Sequence, residues 1–168
     1  MTMEYESNSP EDTMAFAEKL AQQAKPGDII CLSGPMGAGK TAFAQGYARG
    51  LGFDGYVNSP TFTLMQIYEG GRIPLYHFDL YRLEGQPEAL DDIGFLDYLE
   101  TTDGWSVADG CPAASVSLIE WPEYAGDIIP ADAIWVKISV VEDLNCKSNR
   151  RSDDGSFANR RKIHVFRL

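Results

Sequence analysis

Residues 33–41, SGPMGAGKT, constrain this chain more than any other stretch. Gly34, Pro35, Met36, Gly37, Ala38, Gly39, Lys40 and Thr41 fit the pattern G-x-x-x-x-G-K-[ST]. Glycines let a backbone wrap closely and aim successive N–H groups at phosphate oxygens. A helix beginning near Lys40 turns its positive end toward the same anion. Lys40 supplies a point charge to β- and γ-phosphates, and Thr41 offers a hydroxyl to Mg²⁺. The alternative is a Gly-rich turn without a ligand. The context argues against it, because the apolar run 28–33 (DIICLS) reads as a buried strand and 40–52 as an amphipathic helix. That helix puts Phe43, Tyr47 and Leu51 on one face and ends at Gly52, where a left-handed cap belongs. The expected nucleotide contacts run from Gly34 through Met36, Gly37, Ala38, Gly39, Lys40 and Thr41 to Ala42.

Such a loop requires carboxylates for the metal and the attacking group. Asp79 follows the apolar run IPLYHF, and Glu120 follows SVSLI. Two acids at equivalent strand ends fit the need; two surface acids are the alternative. Thr61, in SPTF, lies between the loop's helix and the next strands, as a switch segment would; plain β-propensity is its other reading. His77 precedes Asp79 by two residues and shares its face on an extended strand. It can order Asp79, sense phosphate, or serve as a structural histidine. Trp121 follows Glu120 and reads either as a stacking surface or as a core residue. His164, on the last strand, reads as structural.

The rest of the chain reads as one α/β domain over 1–168, a mixed sheet with antiparallel hairpins at its edges. Ser9, Pro10, Glu11 and Asp12 start a helix that ends at Pro26-Gly27. Residues 59–83 hold two β-rich runs around Glu69-Gly70-Gly71-Arg72, a hairpin signature. Residues 87–100 read as a helix with a break at Gly94, and 101–114 as a loop. Alternating segments 133–141 and 161–168 are expected to pair, joined by a mobile connection over 142–160.

Charge limits the partners. Net charge is −11. Residues 147–168 hold seven Lys/Arg and two Asp/Glu, a balance of +5, while the rest hold seven and 23, a balance of −16. An acidic body repels nucleic acid. The basic tail reads as a solvated loop or as a contact for an acidic partner or RNA. Three cysteines without metal spacing, no signal-peptide pattern and no membrane-length apolar run point to the cytoplasm and away from membranes. No N-K-x-D motif supports guanine specificity. On the residues alone, three readings stay open: an ATPase, a small-molecule kinase, and a nucleotide-gated binding module.

Four separated motifs narrow this further: GPMGAGKT, NSPTFTL, YHFDLYRL and LIEWPE, in that order. Together they resemble the TsaE (YjeE) family, over about residues 9–141. The resemblance implies a P-loop ATPase fold and an ATP- and Mg²⁺-dependent protein working with TsaB and TsaD. The process is threonylcarbamoyladenosine formation on tRNA, with tRNA reached only through the complex. It implies Lys40 and Asp79 as catalytic, Thr41 and Glu120 at the metal, Thr61 as a switch, and Trp121 as the tryptophan of an E-W-P motif. Ser9 falls where the family's N-terminal segment approaches nucleotide. The segments 101–114 and 142–160 depart from the usual pattern, so the resemblance does not say which of Arg160 and Arg161 contacts nucleotide.

Overall fold

An unbroken apolar run can form a strand only where both sheet faces are covered. The structure, a computed structural model, describes residues 2–86, 88–99, 115–141 and 160–167. In it β2 (Ile29–Ser33) is the middle strand of a seven-stranded sheet. The other strands are β1 (Thr2–Ser7), β3 (Met65–Tyr68), β4 (Leu75–Asp79), β5 (Val116–Glu120), β6 (Ile134–Val141) and β7 (Arg160–Arg167), in the spatial order β1-β7-β6-β2-β5-β4-β3. β2 pairs in parallel with β5 and β6, and β5 in parallel with β4. The β3–β4 hairpin closes one edge, and β6, β7 and β1 form an antiparallel set at the other. This is the expected mixed α/β sheet with antiparallel edges.

Alternation along β2 divides the core. Ile30 and Leu32 face α1 (Pro10–Ala21) and α2 (Lys40–Gly50), together with Phe43, Tyr47 and Leu51. Ile29 and Cys31 face the opposite layer, where Phe78 and Ile119 meet Leu83 and the short helices α3 (Ala89–Asp92) and α4 (Phe95–Leu99). Cys31 is fully buried, and that burial, with Glu123 nearby, pushes its thiol up to about 12. Among the described residues no helix is long and apolar enough to cross a membrane.

Several local expectations hold. Ser9 caps α1 by accepting from the Asp12 N–H at 3.0 Å, with Pro10 in the first turn. Gly52 has φ +89°, just past α2. Gly94, at φ +64°, separates α3 from α4. Others are corrected. α1 stops at Ala21, short of Pro26, because the Arg72 guanidinium reaches back from the hairpin to the Ala21 and Ala24 carbonyls and completes that end. Residues 59–64 are not strand: the Thr63 and Leu64 N–H groups turn back onto the Pro60 carbonyl. Residues 2–7, to which the sequence reading assigns no element, form an edge strand, β1, with Met3 and Tyr5 packed against the core. Arg160 already belongs to β7, so the β6–β7 connection ends one residue earlier than expected. Pro87, residues 101–114 and the remainder of that connection lie outside the described residues, as do Cys111 and Cys146.

The helix crossing is close. A Cβ added at Gly46 would lie 2.1 Å from the Met14 carbonyl oxygen, and one at Gly50 2.3 Å from that of Glu18. Either would force α1 and α2 apart. Gly46→Ala is expected to destabilise the fold by roughly 1–3 kcal/mol, the usual cost of overpacking, measured by urea denaturation against the wild type.

Candidate functional site

β2 ends at Ser33, and the chain enters the glycine loop over the end of the sheet. Gly34 (φ +155°) has no room for a side chain: a Cβ would lie 2.5 Å from the Ile138 carbonyl oxygen on β6. Gly39, at φ +106°, begins α2, and among the described residues no side chain caps that end. The first turn of α2 contains no acid. A Cβ at Gly37 or Gly39 would meet no described atom within 4 Å. The loop therefore borders open space, with the positive end of α2 behind it.

Lys40 is buried, and its Nζ donates to the carbonyls of Gly34 (2.7 Å) and Pro35 (3.0 Å). The same Nζ sits 4.0 Å from the centre of the Trp121 ring. Burial lowers the Lys40 pKa, opposed by the carboxylates of Glu120, Asp79 and Glu123. Trp121 is thus half-buried rather than wholly surface or core, stacked on Tyr124 at 6.0 Å and held at a left-handed backbone angle (φ +57°). A non-glycine residue held there carries backbone strain of a kind that clusters at functional sites.

The two acids come together through strand register. Asp79 and Glu120 are direct partners across the parallel β4–β5 pair, and Leu32 is the partner of Glu120 on β2. Both carboxylates are almost fully buried. Asp79 Oδ2 accepts from the hydroxyls of Ser59 (2.7 Å) and Thr61 (2.5 Å), and its Oδ1 accepts from the Tyr81 N–H (3.0 Å). Glu120 Oε1 lies 2.9 Å from His77 Nε2. An ionised carboxylate has no proton to give, so Nε2 is the donor. His77 shares the face of Asp79, as its spacing required, but its hydrogen bond goes across the sheet to Glu120. Its Nδ1 is buried with no partner among the described residues.

These side chains line a cavity of about 350 Å³ that includes Met36, Gly37, Gly39, Lys40, Thr41, Ser59, Thr61, Asp79, Tyr81, Glu120 and Trp121. Thr41 is exposed to it, Ala38 is buried behind the loop, and Ala42 is half-buried in α2. Ser9 caps α1 and is not among the lining residues. His164 is half-buried beside Phe166 on β7. Two participants, Ser59 and Tyr81, had not been singled out from the sequence, and Arg161 had been named only as one of two arginines that could contact nucleotide. Ser59 and Tyr81 lie beside quoted motif residues. Arg161 donates from Nε to the Ala38 carbonyl (3.0 Å) and from an Nη to the Gly37 carbonyl (3.3 Å). Its signal was phase: it alternates with the buried Ile163 and Val165.

The cavity fits a magnesium-bound nucleotide by its donor set. Magnesium takes one or two carboxylates and fills its remaining positions with water and phosphate oxygens. A hydroxyl, two acids, a lysine and an uncapped helix start supply that combination. Among the described residues no group of three or more His, Cys, Asp or Glu forms an all-protein metal cage.

Strand, glycine loop and helix on a sheet of this order, facing strand-end acids, define the α/β class built around a phosphate-binding loop. The description "Threonylcarbamoyl adenosine biosynthesis protein TsaE" belongs to a family model that matches residues 7–151. The chain belongs to the TsaE family. It is 37% identical over 141 residues to a tRNA threonylcarbamoyladenosine biosynthesis protein TsaE of Bacillus subtilis, covering 84% of this chain and 80% of that one. With the protein of the same description from Haemophilus influenzae it shares 38% identity over 129 residues, 76% of this chain and 73% of that one. Its fold is similar to the crystal structure of Bacillus subtilis YdiB, with a TM-score of 0.65, 27% identity, and coverage of 100% of this chain and 86% of that one.

The His77–Glu120 pair is testable without any ligand. Removing His77 strands a buried carboxylate, whereas removing both partners does not. In a double-mutant cycle of His77→Leu and Glu120→Leu, chemical denaturation is expected to give a coupling energy of roughly 1.5–3 kcal/mol.

Proposed function

We propose that this chain is a Mg²⁺-dependent ATPase that supports the TsaB–TsaD transferase in threonylcarbamoyladenosine modification of tRNA, through an ATP-driven cycle of binding and reset. The observation that carries the reading is the convergence of Lys40, Thr41, Asp79 and Glu120 on one cavity at the start of α2. Family membership supplies the process. The acidic body supports contact with tRNA through the complex rather than directly. Work on tRNA places the protein in the cytoplasm under this reading.

Bound Mg-ATP would supply the phosphoryl group released to water and a cation that neutralises charge on its oxygens. The chain's own residues do the rest. Lys40 exchanges the Gly34 and Pro35 carbonyls for phosphate oxygens. The uncapped N–H groups of α2 hold the same anion. Thr41 offers its hydroxyl, and Glu120, fixed by His77, its carboxylate to the metal side. Asp79 accepts a proton from the attacking water and holds it in line. The Ser59 and Thr61 hydroxyls, which hydrogen-bond to Asp79, tie the 59–64 loop to that event. A change at the phosphate site then alters the loop presented to partners.

Release of phosphate from Mg-ATP, measured with and without the purified TsaB–TsaD pair, tests the proposal. Slow release alone and faster release with the pair is the expected result. Phosphate appearing instead on an added small acceptor would establish a kinase, and no turnover at all a binding module. Lys40→Ala is expected to abolish ATP binding, while Asp79→Asn should keep it and lose hydrolysis by on the order of 10²-fold.

A further inference from the structure

We propose that Arg161 is a positioning residue for the phosphate loop: from β7, its guanidinium holds the loop's Gly37 and Ala38 carbonyls and so presets the backbone turn that aims the Gly39 N–H at the cavity. The inference rests on reading residues 34–41 as the phosphate site of a nucleotide.

Arg161 belongs to the basic C-terminal stretch, where a solvated arginine is the ordinary expectation. It is instead 7% exposed. A guanidinium stays charged inside a protein and is costly to bury unless its donors are satisfied. Here two of them go to consecutive carbonyls of the glycine loop, more than 120 residues away in sequence.

The geometry of the peptide unit gives those contacts their effect. In a trans peptide the C=O and the following N–H point in opposite directions. Pinning the Ala38 carbonyl therefore turns the Gly39 N–H to the other side, where Gly39 lines the cavity. Pinning the Gly37 carbonyl fixes the peptide whose N–H closes a turn onto Pro35, at 3.2 Å. Gly37 and Gly39 have no side chains to restrain them and would otherwise be costly to order on binding.

Two cations share this loop. Lys40 holds the Gly34 and Pro35 carbonyls, and Arg161 holds those of Gly37 and Ala38. Lys40 must leave its carbonyls to serve phosphate. Arg161 reaches the loop from β7, outside the loop itself, and in the proposed cycle it continues to hold these carbonyls. Its own place is fixed on both sides, since β7 pairs Arg161 with Ser7 on β1 and with Val140 on β6. β6 also supplies Ile138, whose carbonyl lies against Gly34. The antiparallel β1–β7–β6 edge is thus the seat of the phosphate loop.

The test uses the full chain, with Mg-ATP and Mg-ADP titrated calorimetrically against wild type, Arg161→Met and Arg161→Lys, each below its own ligand-free melting temperature. Loss of hydrogen bonds to a charged group predicts Kd values raised ~10-fold or more in Arg161→Met. Arg161→Lys, which keeps the charge but carries its donors on one nitrogen instead of a planar fork, should fall between. A purely structural arginine would lower the melting temperature and leave the affinity of the folded protein unchanged. If Arg161→Met does not fold, Arg161→Lys decides: weaker binding than wild type supports the proposal and equal binding overturns it. Equal binding by wild type and both variants overturns the inference and leaves the nucleotide reading standing. A wild-type protein that binds neither nucleotide overturns both.

Discussion

The parallel pairing of β4, β5 and β2 is the constraint on which the rest of this molecule depends. Their register places Asp79 beside Glu120 and Glu120 beside Leu32, one residue before the chain leaves β2 for the glycine loop. Parallel strands with both faces covered leave little freedom to slip, because a shift of one residue exchanges the two buried faces. Loop and acids therefore leave the sheet at one level. Ligand sites of open α/β sheets belong at the carboxyl ends of such strands.

Two carboxylates and a lysine, all largely buried, are costly to desolvate, and each is compensated by specific partners. Asp79 is held by Ser59, Thr61 and the Tyr81 N–H, Glu120 by His77, and Lys40 by two carbonyls and the face of Trp121. These partners come from β4, from the 59–64 loop, from the turn after β4, from the glycine loop and from the residue after β5. The site is thus tied to several elements at once, and a displacement at any of them is felt by a charged group in a low-dielectric setting. The two acids also have different companions: hydroxyls of a loop for Asp79, an imidazole of the sheet for Glu120. That difference is the physical basis on which the proposed cycle gives Asp79 the role coupled to the 59–64 loop and Glu120 the fixed one.

The antiparallel edge has a part of its own. β6 and β7 cover the core with Val136, Ile138, Ile163 and Val165, yet they also present the Ile138 carbonyl and the Arg161 guanidinium to the phosphate loop. One hairpin closes the sheet and supports the loop. The family model matches residues 7–151, and the fold similarity to the Bacillus subtilis YdiB structure covers the whole chain, β7 included.

By itself, the sequence determined what local chemistry determines. The glycine loop, the cap at Ser9, the hairpin around Gly70-Gly71, the break at Gly94 and the buried run of β2 follow from turn chemistry and periodicity within a few residues. The two strand-end acids were legible for the same reason. Tertiary structure alone decided the pairings. His77 lies two residues from Asp79 but serves Glu120, because strand register sets which neighbour a side chain reaches across the sheet. The SPTF stretch has the β-propensity of a strand and forms a turn, since its hydroxyls are held by Asp79. Residues 2–7 carried no assigned element and become an edge strand, because a partner edge on β7 was open to them. Arg161, in a basic stretch that reads as a solvated loop or a partner contact and one of two arginines that could contact nucleotide, is buried against carbonyls more than 120 residues away. Periodicity tells which face a residue occupies; only the folded chain brings to that face the group it will meet.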